Sequence, residues 1–405
     1  MHQFGAKGDG KTLDTAAIQA ALDACGKAGG GTVHFTAGTY LSQPITVHTK
    51  TTVFLEAGAT LLASPTQSVF FKGGGNWLAA KSSDNFVPFI SGKNLTDITI
   101  TGQGTIDGNG ANWWGPAREF RTKNPSGPAL PRPDLVVFDH CTNVHLTGVK
   151  LINSPRAHLM LTDCEAVVIE GVTVRSPASA PNTEGIGPDN CRNVTIARCT
   201  IDTGDDNIAI TSGKKVAGRE FGSENITVTN CVFLHGHGMS IGSTTIGGLH
   251  HVVVKNCRFE DTDNGLRIKS GRDRGGLVED ISYSDITMKN VHPAISIVAY
   301  YQYSTNDKFL KHDPAQPVTE TTPIFRNIHI SQVTATCTQD AGLIIGLPES
   351  VVSNVVLENV HFTAETGLTI ANAKGVQFKN SSISVETGPQ FSAENAEIKG
   401  LKNQK

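Results

Sequence analysis

The sequence predicts an all-β chain: a single-domain right-handed parallel β-helix over residues 1–405, plugged at its N-terminal end by a helix at about residues 14–26. Three observations predict it. A short apolar pattern recurs along most of the chain at intervals mostly in the twenties. Glycine is abundant, at 42 residues, while only 4 methionines are present, which fits turn-rich β structure rather than a helical bundle. One amphipathic stretch near the N-terminus breaks the strand-like alternation and offers the plug.

The recurring pattern is apolar, any, apolar, any, any, apolar-or-Cys. It reads Val144/Leu146/Val149, Val167/Ile169/Val172, Val194/Ile196/Cys199, Ile226/Val228/Cys231 and Val252/Val254/Cys257. It continues as Ile281/Tyr283/Ile286, Ile328/Ile330/Val333 and Val355/Leu357/Val360, with Ile98/Ile100 as an earlier copy. Apolar residues at i and i+2 make strands with one inward face. A short period with Asn- and Gly-rich corners makes a solenoid, and the Leu-rich consensus of leucine-rich repeats is missing. The interval of 47 between Ile281 and Ile328 is sized for two coils.

A solenoid end needs covering. Ile18, Ala21, Leu22 and Cys25 share one helical face, Asp14 is a natural N-cap and Gly26 a natural stop. Cys199, Cys231 and Cys257 occupy one column of the repeat and read as small buried thiols rather than a metal set. Cys164 and Cys191, near turns, are the better disulfide candidates.

Charge and hydropathy narrow the functions. A net charge of −3 gives no general attraction to nucleic acid or an anionic membrane, and no apolar run is long enough to span a bilayer. The start at Met1-His2-Gln3-Phe4 shows no basic and apolar leader.

Each coil carries a second strand, visible as Ile208-Ala209-Ile210, Met239-Ser240-Ile241, Leu266-Arg267-Ile268 and Ile295-Ser296-Ile297. Aligning their last apolar residues puts Asp206, His237 and Asn264 in one column just before the strand, with Thr183-Glu184 at about that height on the preceding coil. Coils stack about 4.8 Å apart, so neighbours in the column are within side-chain reach. Arg267 and Lys269 flank the inward Ile268, and alternation sends both outward. Carboxylates, an imidazole and two cations in register suit hydrolysis of a sugar that itself carries a carboxylate.

At these residues the chain resembles the polygalacturonase family of glycoside hydrolases, whose motifs Asn-Thr-Asp, Gly-Asp-Asp, Gly-His-Gly and Arg-Ile-Lys occur in that order. Here they read Asn182-Thr183-Glu184, Gly204-Asp205-Asp206, Gly236-His237-Gly238 and Arg267-Ile268-Lys269. The likeness runs from Phe4-Gly5-Ala6-Lys7-Gly8-Asp9-Gly10 to the tyrosines near Tyr300, and is greatest to the bacterial endo-acting enzymes. The resemblance implies Asp205 as the general acid. It implies Asp206, helped by Glu184, as the carboxylates that activate water, with His237 supporting the acid's proton balance. Asn182, Arg267, Lys269 and Tyr300 (or Tyr301) are then substrate-binding. It further implies inversion at the anomeric carbon, no metal or other cofactor, and a pectic polysaccharide as partner; a monomer is expected, and secretion to the periplasm or cell exterior follows from a polymer substrate that lies outside cells.

Two positions depart from the family. Glu184 replaces the aspartate of Asn-Thr-Asp, and Gly187 stands where a further aspartate is usual; Asp189 is nearby but out of register. A methylene moves a carboxylate by about 1 Å, enough to cost on the order of a hundredfold in rate. Rhamnogalacturonan or xylogalacturonan hydrolysis, a Ca²⁺-dependent lyase and a non-hydrolytic polysaccharide-binding β-helix are the rival readings. Asn112-Trp113-Trp114-Gly115 and the segment from Tyr303 to Pro317 are the candidates to crowd an end of the groove and favour exo attack.

Overall fold

In a computed structural model, which describes residues 1–72, 76–125, 127–301 and 313–401, the first two apolar positions of each predicted triplet lie in strands, while third members such as Val149 and Cys199 sit at the corner between two strands. Among the described residues there are 32 strands and two α-helices. The architecture is that of a parallel β-helix, and its coils fall into two compact units.

One unit comprises residues 1–187 and 194–206. Three ladders of parallel strands run through it, represented by Val136–Asp139 on Leu159–Thr162, Thr142–Thr147 on Glu165–Glu170, and Lys150–Ile152 on Thr173–Arg175. Ile98, Val144 and Val167 pair in one register and Ile100, Leu146 and Ile169 in the next, all completely buried. Parallel pairing without slip sets branched side chain on branched side chain, each burial stabilising by roughly 1.5–3 kcal/mol. A first helix, α1 (Thr15–Lys27), buries Ile18, Ala21 and Leu22 against the first strands, as the apolar stripe predicts. Gly26 lies inside α1 rather than stopping it. Asp14 precedes the helix but does not cap it through its side chain: its carboxylate accepts from the backbone N–H of Lys7 (2.7 Å) and Gly8 (3.0 Å).

A second helix, α2 (Ala111–Lys123), contains the Trp113-Trp114 pair. Both rings are buried. Trp113 packs on Trp77 at 4.7 Å and Trp114 donates to the Ser154 carbonyl at 3.0 Å.

The other unit comprises residues 188–193 and 207–405. Ile226, Val252, Ile281, Ile328, Val355 and Val376 stack in a single column. Ile281 pairs directly with Ile328, so the 47-residue interval is one coil with a long excursion, not two coils. Of that excursion, residues 302–312 lie outside the described residues, and with them most of the Tyr303 to Pro317 segment.

One corner recurs in both units. The residue immediately before the first inward strand position has a left-handed backbone: Asp97, Asn143 and Ala166 in one unit, and Asn225, His251, Asp280, Asn327 and Asn354 in the other, all with φ of 54–58°. Asn and Asp tolerate this region, and their side chains ladder from coil to coil: Asn327 Nδ2 donates to Asp280 Oδ1 (3.1 Å) and Asn354 Nδ2 to Asn327 Oδ1 (3.2 Å). Ala166, exposed and at φ 56°, has neither advantage. Ala166→Asn is expected to raise unfolding stability by about 1 kcal/mol, read from urea denaturation midpoints.

All eight cysteines are free thiols, including Cys164 and Cys191, the expected disulfide candidates. For Cys164 the ladder gives the reason. Cys141 and Cys164 directly precede the paired residues Thr142 and Glu165, and each Sγ–H is directed at the carbonyl two residues back, of Asp139 and Thr162, at 3.4 Å. Stacked thiols therefore point the same way, whereas a disulfide needs them to converge. The neighbouring thiol first (Cys164 beside Cys141, Cys231 beside Cys257), and burial second, push Cys141 and Cys257 far above the usual thiol range, as inert packing groups.

Candidate active site

Within the first unit, the loop before strand Ile186–Asp189 carries Asn182-Thr183-Glu184. Thr183 is fully buried and pins two coils together: its hydroxyl donates to the Ala180 carbonyl (2.9 Å) and accepts from the Gly204 N–H (3.0 Å). Gly204 must be glycine, since a Cβ there would lie 2.1 Å from the Ala180 oxygen. The close approach sets Asp205 beside Asn182, whose Nδ2 donates to Asp205 Oδ2 (3.2 Å). The other oxygen, Oδ1, accepts the N–H of Asp206 (2.7 Å). Gly185 N–H bonds to the Asp206 carbonyl (2.9 Å), so Glu184 and Asp206 do sit on adjacent coils, as aligning the repeats predicts.

Glu184 is the unusual group here. Its Oε2 is buried and has no hydrogen-bond partner among the described residues. Burial first, and the charge of Asp205 second, push its carboxyl up to about 8, against the pull of Arg156. Beneath it, His158 is fully buried and held down to about 4, hence neutral, bonding to the Glu184 carbonyl through Nδ1 (2.9 Å). Arg156 forks onto Asp134 at 2.8 and 2.6 Å. Gly187 is buried within its strand.

Within the second unit, Ile208, Met239, Leu266 and Ile295 pair in register, as predicted. His237, two residues before Met239, faces Asp263 with Nε2 3.6 Å from Oδ2. Gly238, at φ +67°, is forced, since a Cβ would lie 2.0 Å from the Asn264 carbonyl. Ile268 is buried between Arg267 and Lys269. The two cations share a face but not an environment: Arg267 is partly exposed, whereas Lys269 is only 6 % exposed, its Nζ 5.3 Å from the ring centre of Tyr301.

Tyr300 is 2 % exposed and donates its hydroxyl to Asp313 (2.6 Å); Tyr301 is the partly exposed tyrosine. Arg272 ties this corner together through Asp313 (2.7 Å) and a fork onto Glu349 (2.6 and 3.0 Å). Asp189, out of register with the acids, accepts from Thr211 Oγ1 (2.9 Å) and Gly213 N (2.8 Å) as a corner brace.

Sequence reasoning missed Arg132, Asp134, Arg156 and Arg272. A signal existed for the first three: charged residues in Arg132-Pro133-Asp134 and Pro155-Arg156 open segments that are otherwise apolar strand.

Residues 37–385 match the family model of glycosyl hydrolases family 28. A probable polygalacturonase of Vitis vinifera is 30% identical over 88% of the chain and 72% of its own length. An endo-polygalacturonase of Pectobacterium carotovorum is 34% identical over 73% of the chain and 74% of its own. Among solved structures, polygalacturonase from Erwinia carotovora superposes with a TM-score of 0.77 at 30% identity, covering 90% of this chain and 93% of that one. An exopolygalacturonase from Thermotoga maritima gives 0.77 at 25%, covering 95% and 90%.

Proposed function

The chain belongs to glycosyl hydrolases family 28, and on that premise we propose that it hydrolyses α-1,4 bonds between galacturonate residues of pectin, inverting the anomeric carbon. The observation that carries this reading is Asp205, gripped by Asn182 and by the N–H of Asp206 on a glycine-enforced turn. Asp205 protonates the leaving oxygen and Asp206 takes the proton of the attacking water. Glu184, held neutral at working pH by its burial, orients that water. His237 supports the proton balance of the acid. Arg267 and Lys269 receive the substrate carboxylate, Arg267 by its planar fork and Lys269 as a point charge. Tyr301 lines the sugar subsite, with Tyr300 buttressing it. The enzyme acts as a monomer outside the cytoplasm, where its polymer lies.

Purified protein on polygalacturonate should release reducing ends, and proton NMR of the first turnovers should show the β-anomer. The α-anomer appearing first would mean a covalent intermediate and overturn the roles of Asp206 and Glu184. No reducing ends from any pectic polymer would leave a binding protein.

Endo attack follows the bacterial relatives; exo attack is the second reading, supported by the likeness to the Thermotoga enzyme. Viscosity collapsing ahead of reducing-end release marks the first. Monomer or dimer accumulating from the start marks the second.

A further inference from the structure

Arg132 is an expensive residue for a fold to keep. It is 0 % exposed, and a buried guanidinium is unfavourable unless its donors and its charge are met. Yet Nε and Nη1 make no hydrogen bond among the described residues. Only Nη2 is engaged, and both of its bonds go to consecutive residues of the active-site loop: the Pro181 carbonyl (2.9 Å) and Asn182 Oδ1 (3.1 Å). Were stability its purpose, an apolar side chain of similar volume would serve as well or better.

The second of those bonds has a chemical consequence. An Asn side chain can present either its oxygen or its NH₂ in one direction, and the two ends look alike in shape. A guanidinium has donors only, so it accepts nothing from Asn182 and must face its oxygen. The NH₂ is thereby turned to Asp205 Oδ2, where it donates at 3.2 Å. A flipped amide would instead set its oxygen against that carboxyl.

We propose that Arg132 is a positioning residue for the general acid: by fixing the amide of Asn182 it aims the carboxyl of Asp205 and keeps an N–H donor on Oδ2. With Oδ1 held by the N–H of Asp206, both oxygens of Asp205 are fixed in place, and the proton it transfers occupies a remaining lone pair. The inference rests on Asp205 being the acid. The titratable groups around Arg132 are Glu184, Arg156, Asp134 and Asp205. Burial pulls its own proton affinity down only to about 10, so it stays cationic at any working pH.

The test is kinetic, on polygalacturonate, with Arg132→Met and Arg132→Lys. Removing the cation and its donor should lower kcat about 10- to 100-fold with KM within about threefold. It should also move the basic limb of the kcat/KM profile upward, because a lost positive charge and a freed amide both favour the protonated acid. Arg132→Lys, which keeps a charge and a donor, should recover most of kcat and restore the limb. In an Asn182→Ala background, Arg132→Met should lower kcat less than twofold further, since its route to Asp205 is gone.

Equal losses in both backgrounds, or a fall in melting temperature with an unmoved pH limb, would make Arg132 structural and overturn the proposal. Should Arg132→Met not fold, Arg132→Gln decides: its amide carries no charge and can meet Asn182 with either end, so it should show the raised limb that Arg132→Lys lacks. Identical profiles for Lys and Gln would overturn the proposal equally. If Asp205→Asn itself keeps more than a tenth of the wild-type rate, it is the assignment of the acid that fails, whatever Arg132 does.

Discussion

Asp205→Asn should lower kcat on polygalacturonate by three orders of magnitude or more, with KM and circular dichroism close to wild type. General acid catalysis alone contributes about 10²–10⁴-fold, and an amide has no proton to give to the leaving oxygen. The substitution keeps size and shape, and the Oδ1 that accepts from Asp206 survives. A galacturonide with an activated aryl leaving group separates the two acids. It needs little protonation, so the Asp205→Asn defect should shrink on it by at least tenfold, while an Asp206→Asn defect should persist. Equal defects for both variants on both substrates would remove the acid assignment from Asp205.

Glu184→Gln should produce the largest pH-dependent change in stability. A carboxyl with its folded value raised to about 8 stabilises the fold fully below its unfolded value near 4.5, and that contribution is lost as pH rises toward 8. Wild type should therefore weaken between pH 4.5 and 8. The Gln variant, which mimics the neutral acid, should not. At pH 9 the variant should be the more stable of the two by roughly 2–4 kcal/mol, and near pH 4 the two should coincide. Because Gln resembles the neutral carboxyl, activity at pH 5 should fall by no more than about tenfold. A loss above a hundredfold would give Glu184 a share of the base role beside Asp206.

The inward strand residues were legible because in-register parallel stacking imposes one period on every coil, and triplets such as Val144/Leu146/Val149 repeat it. Loop content was not. An interval of 47 residues has the length of two coils, and nothing in Ile281 or Ile328 reveals that they are direct neighbours. Helix α2 shows in the sequence only as a bulky segment, since Gly115 and Pro116 interrupt it and its buried face consists of the two tryptophans and Ala117. Alternation places Arg267 and Lys269 on one side of the strand, but does not reveal the burial of Lys269 or the Tyr301 ring beside its Nζ, 32 residues away in sequence. The structure brings Asn182, Asp205 and Asp206 together, and their motifs stand out in the sequence by their order. Arg132 does not stand out, because a buried charge follows no period and is visible only through the bonds it makes.

Coils of 26, 29 and 47 residues close on the same column of aliphatic side chains in the second unit. Closing the longest rather than the 29-residue one costs only about 0.4 kcal/mol of additional chain entropy. The scaffold is thus nearly insensitive to how much chain lies between one rung and the next. Selection on substrate preference can lengthen, shorten or replace the outer excursions while the column of Ile281 and Ile328 stays untouched. Specificity and foldability are written in separate parts of the same coil.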